Sequence, residues 1–272
     1  MRIVNLVENT PGPCGCEAEH GLSFYIETER HKLLMDCGSS GMFLRNAERL
    51  GIDLTQVDTV VLSHGHYDHA GGIMAFAALN PRARIYASGA AGGAYYSTTG
   101  GVHYIGIDKR ILDLPGYRPV EGDLRIDKEL FLFSGITGGR CPAKGNRNLK
   151  ERVNGELVQD RFAHEQCLVI TQGEEHILLS GCAHHGILNI LDRYRELFPD
   201  DPSLVLSGFH MKQADGYSEE DLERIRYTAY ELMRLKTTFY TGHCTGAEPC
   251  AVMKEIMGDR LQVLCSGAVV ME

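Results

Sequence analysis

Three imidazoles and a carboxylate fall within positions 64–69 of the stretch Ser63-His64-Gly65-His66-Tyr67-Asp68-His69-Ala70-Gly71-Gly72. That density constrains the chain more than any other feature. The preceding run, Val57-Asp58-Thr59-Val60-Val61-Leu62, is short and β-branched and reads as a buried strand. His64 and His66 leave it two residues apart, which in an extended backbone puts both rings on one side. Asp68 and His69 follow in the turn into a helix expected from about Ala70 to Leu79. These ligand-type groups crowd one strand-to-helix loop. Without a metal they would be packed donors and acceptors with no clear partners. Borderline divalent ions such as zinc accept this mixture of nitrogen and oxygen well.

Composition narrows the partners. The 272 residues carry a formal charge of -9 and no basic run, which argues against nucleic acid. No run approaches the length and apolarity of a membrane span. The N-terminus, Met1 to Val7, reads as a strand and not as a signal peptide. The nine cysteines, an odd number, fit reduced thiols in a cytoplasmic protein. Cys14-Gly15-Cys16 reads as loop. No sequence feature sets the oligomeric state.

Taken in order, the chain alternates strands and helices. Strands are expected at 2–7, 22–28, 31–35 and 57–62, a helix through Met42 to Leu50, and a strand at 84–87. The long loop Glu8–Gly21, with Asn9, Pro11, Gly12 and Pro13, ends near His20. From about 88 to 160 the pattern is weakest and reads as loops over one face, with strands only at Arg125–Asp127 and Leu130–Ser134. His103 and Tyr104 lie there. Regularity resumes at His164-Glu165 with a hairpin, 167–171 and 176–180. A helix from Ile187, a strand at 203–206, a helix at about 218–235, a strand at 237–240, a helix to Met257 and a last strand near 261–265 follow. This is α/β layering, with 1–272 expected as one domain.

Small residues plus a histidine follow a strand three more times, at Cys182–His184, Ser207–His210 and Thr241–His243. In open α/β sheets, ligands collect at the carboxyl ends of strands. Three such histidines beside a metal-type loop point to one shared site.

The stretch from Ser63 to Gly72 resembles the His-x-His-x-Asp-His signature of the metallo-β-lactamase fold superfamily. With Glu19-His20-Gly21-Leu22-Ser23, Gly181-Cys182-Ala183-His184-His185-Gly186, Gly208-Phe209-His210 and Gly242-His243-Cys244-Thr245-Gly246, the chain is similar to one subgroup. That subgroup is named for the archaeal dihydropteroate-synthase-like enzyme of methanopterin biosynthesis. The resemblance implies a four-layer αβ/βα sandwich, two β-sheets flanked by helices. It also implies two divalent ions, zinc first, with iron or manganese as alternatives. His64, His66 and His184 would hold one ion; Asp68, His69 and His243 would hold the other. Spacing leaves His184 or His185 open, with His184 preferred and His185 as the helix cap. Asp68, His210 and His20 are the candidate catalytic groups, and His164-Glu165 is a further candidate pair.

One position departs from the pattern. Many members carry a metal-bridging Asp where this chain has Cys182. No Gly-x-Ser-x-Gly elbow or P-loop is present, so serine hydrolysis and nucleotide-triphosphate chemistry lack support. The expected activity is metal-dependent hydrolysis of a small-molecule phosphoester. A transferase joining a pterin diphosphate to a phosphorylated arylamine riboside is the alternative, and a non-enzymatic metal-binding or redox-sensing protein is the third reading.

Overall fold

Two seven-stranded sheets face each other in the computed structural model, which describes residues 1–12 and 14–272. Pro13, one of the turn formers of the long loop, lies outside the described residues. The first sheet runs Val269–Met271, Arg2–Val7, Ser23–Glu27, Lys32–Met35, Thr59–Val61, Arg84–Ser88, Tyr117–Val120. The second runs Leu261–Val263, Thr238–Thr241, Leu204–Leu206, Glu175–Leu179, Cys167–Gln172, Leu130–Phe133, Leu124–Arg125.

Period-two alternation builds the layers. In the first sheet Ile3, Phe24, Ile26, Leu33, Met35 and Val61 turn inward to meet Leu132, Leu168, Ile170, Leu179 and Leu206 of the second. Their neighbours Val4, Leu6, Tyr25, Leu34 and Val60 turn outward. That outer face is covered by helices α1 (Met42–Arg49), α2 (Tyr67–Ala70) and α3 (Ile73–Leu79), through Phe43, Ala47, Ala70, Ile73 and Phe76. Helices α4 (Ile187–Leu197), α5 (Glu219–Met233) and α6 (Ala247–Met257) cover the second sheet. In α5 the buried residues Ile225, Ala229 and Leu232 keep helical spacing, and a Ser218–Asp221 capping box starts the helix. The fold is therefore the four-layer sandwich. No helix among the described residues is long and apolar enough to cross a membrane.

Three predicted features differ. The segment 88–160 is not mainly loop: it contributes Tyr117–Val120 to the first sheet and builds a four-stranded sheet from Glu156–Gln159, Leu149–Val153, Tyr95–Ser97 and His103–Tyr104. Its hairpin turns on Asn154-Gly155, with φ of 51° and 89°. Both residues are left-handed, as a two-residue hairpin turn of that type requires. The helix predicted from Ala70 begins at Tyr67, because the backbone N–H groups of His69 and Ala70 donate to His66 O. Gly71 and Gly72 then separate it from α3, and a Cβ on either would overlap the Cys37–Ser40 backbone. Finally, the chain closes with Val269–Met271, which pairs back onto Arg2–Val7. Val269 is exposed and Val270 and Met271 are half-buried, and three residues are too few to carry an alternation signal.

Candidate metal centre

The carboxyl ends of parallel strands bring the candidate residues together. Lys32–Met35 delivers Asp36, Thr59–Val61 delivers Ser63 to His69, Glu175–Leu179 delivers Cys182 to His184, Leu204–Leu206 delivers His210, and Thr238–Thr241 delivers His243. Asp36, Ala183, His210 and His243 all have positive φ, 62°, 52°, 46° and 51°. Non-glycine residues adopt this conformation only where their surroundings hold them, and such positions cluster at functional sites. Close approach is demanded too: a Cβ on Gly181 would overlap Ser63 Oγ.

Ligand atoms of His64, His66 and His184 lie within 4.8 Å of one another, as do those of His20, Asp68 and His243. His69 joins the second set. Its Nε2 is 3.2 Å from His243 Nε2, 3.2 Å from Cys182 Sγ and 3.8 Å from Asp68 Oδ2. Asp68 Oδ2 is 3.3 Å from both His243 Nε2 and His20 Nε2. A tetrahedral ion with bonds near ~2.05 Å separates its ligands by about 3.3 Å, which matches these spacings.

A shell of partners turns the Nε2 atoms inward. Ser63 Oγ donates to Asp36 Oδ2 at 2.7 Å and lies 2.8 Å from His64 Nδ1. Asp36 Oδ2 also lies 2.6 Å from His69 Nδ1. One buried carboxylate thus sets the tautomer of a histidine in each cluster. Asn146 Oδ1 is 3.1 Å from His184 Nδ1, while its amide donates to His184 O. Asn9 Oδ1 is 2.9 Å from His243 Nδ1, and its amide donates to His243 O. In all four rings Nδ1 is engaged and Nε2 faces the cavity, the arrangement typical of metal-ligating histidines.

The test of fit is what remains unpaired. The Nε2 atoms of His64, His66 and His184 are buried without a hydrogen-bond partner among the described residues. Stranding such a nitrogen costs about 1–3 kcal/mol, and three converge here. A cation at their focus would satisfy them together, so the donor set fits a divalent ion.

Electrostatics agree. Burial, reinforced by neighbouring imidazoles, holds His64 and His184 well below the ordinary imidazole value and takes His66 to about 3. These rings are neutral and ready to donate a lone pair. His69 behaves oppositely: burial works against its charge, but Asp36 and Asp68 raise it to about 9. For Asp68, burial is outweighed by His69 and His243, which hold the carboxyl below its usual range. Burial lowers His20, against the pull of Asp68. Burial pushes the Cys182 thiol up. All nine cysteines are free thiols.

Other candidates fall elsewhere. His185 is not the helix cap; the cap position of α4 is Gly186, with φ of 88° and no side-chain hydrogen bond. Instead Glu165 receives the backbone N–H groups of His184 (2.6 Å) and His185 (3.1 Å) and lies 2.6 Å from His185 Nδ1. That clamp turns His185 away from His64 and His66. His164 Nδ1 accepts from Gly65 N at 2.9 Å, and its Nε2 lies 3.2 Å from Asp160, so it props the loop that carries His64 and His66. His210 packs against His184 with ring centroids 4.3 Å apart and the planes tilted by 55°, and its buried Nδ1 has no partner among the described residues. Ser97, His103 and Tyr104 of the small sheet line the same cavity as His184 and His210. Ser63 opens the histidine-rich stretch, but Asp36, Asn9 and Asn146 carry no motif; only the polar–small run Asp36-Cys37-Gly38 after a strand could have pointed to the first.

The sequence model described as Metallo-beta-lactamase superfamily matches residues 17–214. The chain is 27% identical over 270 residues, 93% of its length and 90% of the relative's, to the 7,8-dihydropterin-6-methyl-4-(beta-D-ribofuranosyl)-aminobenzene-5'-phosphate synthase of Methanocaldococcus jannaschii. It is 27% identical over 250 residues to an uncharacterized protein of that organism, covering 88% of this chain and 89% of the other. Among solved structures it is similar to Tm1679, a metal-dependent hydrolase of the beta-lactamase superfamily. The TM-score is 0.84 at 31% identity, over 100% of this chain and 99% of that one. Zinc-bound PqqB from Methylobacterium extorquens shares the fold, with a TM-score of 0.59 at 11% identity over 100% of both chains.

Proposed function

The chain belongs to the metallo-beta-lactamase superfamily, and from that premise we propose that it is a metal-dependent hydrolase of a small-molecule phosphoester. His64, His66 and His184 would hold one divalent ion, zinc in the first instance. Asp68, His69 and His243 would hold a second. The observation that carries this reading is the convergence of three buried, unpartnered Nε2 atoms beside a second cluster of ligand spacing. Ions bound there would supply Lewis acidity and an acidified water.

The chain's own groups do the rest. Asp68, besides holding the second ion, would orient the reacting water. His20, held below the ordinary value by burial, accepts a proton at the rim. His210, with its unpartnered Nδ1, donates to the leaving group. Lys144, Arg147 and Lys212 line the mouth beside His20 and His210 and favour an anionic, phosphorylated substrate. Lys144 and Arg147 also face Asp221 and Asp215; Lys212 has no carboxylate partner among the described residues.

A transferase reading is favoured by one finding, the full-length similarity to the methanopterin-pathway synthase. The two are separated with zinc-loaded protein, a panel of phosphoesters, and a pterin diphosphate with and without a phosphorylated arylamine riboside. Phosphate release from a phosphoester alone supports hydrolysis. Diphosphate release only with the arylamine supports transfer. Turnover in neither rejects both reactions.

A further inference from the structure

We propose that the Cys182 thiolate is a metal ligand shared between the two ion positions, in the place where a carboxylate would otherwise join them. The proposal rests on the dinuclear reading above and assigns it a ligand. Cys182 Sγ is 3.2 Å from His69 Nε2. It also lies within 4.8 Å of the ligand atoms of three different pairs: His64 with His69, His184 with His210, and His243 with Cys244. The sulfur therefore reaches His64 and His184 of one cluster and His69 and His243 of the other. Zinc–thiolate bonds near ~2.3 Å and zinc–imidazole bonds near ~2.05 Å put sulfur and nitrogen about 3.5 Å apart on one tetrahedral ion. The separation from His69 is close to that spacing.

A buried thiol is often only packing. Here the surroundings argue otherwise. Ring nitrogens and a second sulfur lie within that reach of it, and the unpartnered Nε2 atoms of His64 and His184 face the same space. The backbone holds the sulfur in place. Gly208 N donates to Gly181 O at 2.8 Å, and a Cβ on Gly208 would overlap Cys244 Sγ. Ala183, with φ of 52°, turns the chain directly after Cys182 so that sulfur and His184 enter one cavity.

The chemistry balances without an oxidant. The thiol gives its proton to solvent as the sulfur–metal bonds form, and two sulfur lone pairs serve two ions. A thiolate softens the donor set and moves preference toward zinc, cobalt and iron and away from manganese and magnesium.

The test is anaerobic titration of the metal-free full chain with cobalt(II), counting bound ions by equilibrium dialysis and recording near-ultraviolet absorption. The wild type is expected to bind about two ions with a sulfur-to-cobalt charge-transfer band. Cys182→Ser should lose the band and Cys244→Ser should keep it. Cys182→Asp should bind about two ions with no band. About two ions without a band in the wild type, or a band that survives Cys182→Ser, overturns the thiolate ligand and leaves the dinuclear reading standing. No bound cobalt overturns both. Should Cys182→Ser fail to fold, zinc-edge X-ray absorption of the wild type decides: sulfur in the first shell supports the proposal, and nitrogen and oxygen alone overturn it.

Discussion

Replacing Asp36 by asparagine should loosen metal binding at both clusters while leaving the fold intact. Asp36 is fully buried with φ of 62°, a conformation asparagine also adopts. Its Oδ1 accepts from Ser63 N at 2.7 Å; its Oδ2 accepts from Ser63 Oγ at 2.7 Å and sits 2.6 Å from His69 Nδ1. A carboxylate accepts all three, whereas an amide offers one oxygen and a donor. With the oxygen kept on Ser63 N, the new N–H faces two donors, Ser63 O–H and His69 Nδ1–H. His69 must then move its proton to Nε2, where it occupies the lone pair aimed at the cavity. Ser63 must also turn, which frees His64. Losing hydrogen bonds to a buried charge costs about 1.5–3 kcal/mol, and outer-shell changes weaken metal affinity about 10–100-fold. Stepwise zinc affinities from chelator competition should fall by that factor at the ion near His69, and by less at the ion near His64. Unchanged affinities in a variant with wild-type circular dichroism would refute this role for Asp36.

Asn146→Ala removes the acceptor of His184 Nδ1 and should weaken zinc at the His64–His66–His184 cluster about 10-fold, read by the same competition; equal affinity would mean the amide does not set that ring. Glu165→Ala strands the N–H groups of His184 and His185 and should lower denaturant stability by about 2–4 kcal/mol, with an unshifted midpoint as the contrary result. His31 lies 2.8 Å from both Asp58 and Asp127; burial opposes its charge, but these hydrogen bonds raise its pKa. A raised folded pKa stabilises most below the unfolded value of about 6.5, and the gain fades as pH rises through the folded value. His31→Gln should therefore cost about 1–2 kcal/mol near pH 6 and little near pH 9; a pH-independent loss in urea melts would contradict the ion-pair account.

Much of the fold was legible because β-branched runs and helical spacing repeat through residues 2–87 and 167–257. The cover sheet was not, because Leu149–Val153 and Glu156–Gln159 lack a buried face and so show no clean alternation. The Asn154-Gly155 turn was the available signal there. The histidines of the candidate site were legible as residue types at strand ends. Their aim was not. Sequence spacing could not separate His184 from His185, since Glu165, distant along the chain, decides which ring turns inward. Asp36, Asn9 and Asn146 act through long-range hydrogen bonds that no local pattern encodes.

The central claim is a dinuclear metal centre. Its most direct test is elemental analysis of metal per chain, on protein purified without chelator, for wild type and Asp68→Ala. About two ions in the wild type falling to about one in the variant is the predicted result. A wild type with no metal, or one ion unmoved by Asp68→Ala, would contradict it.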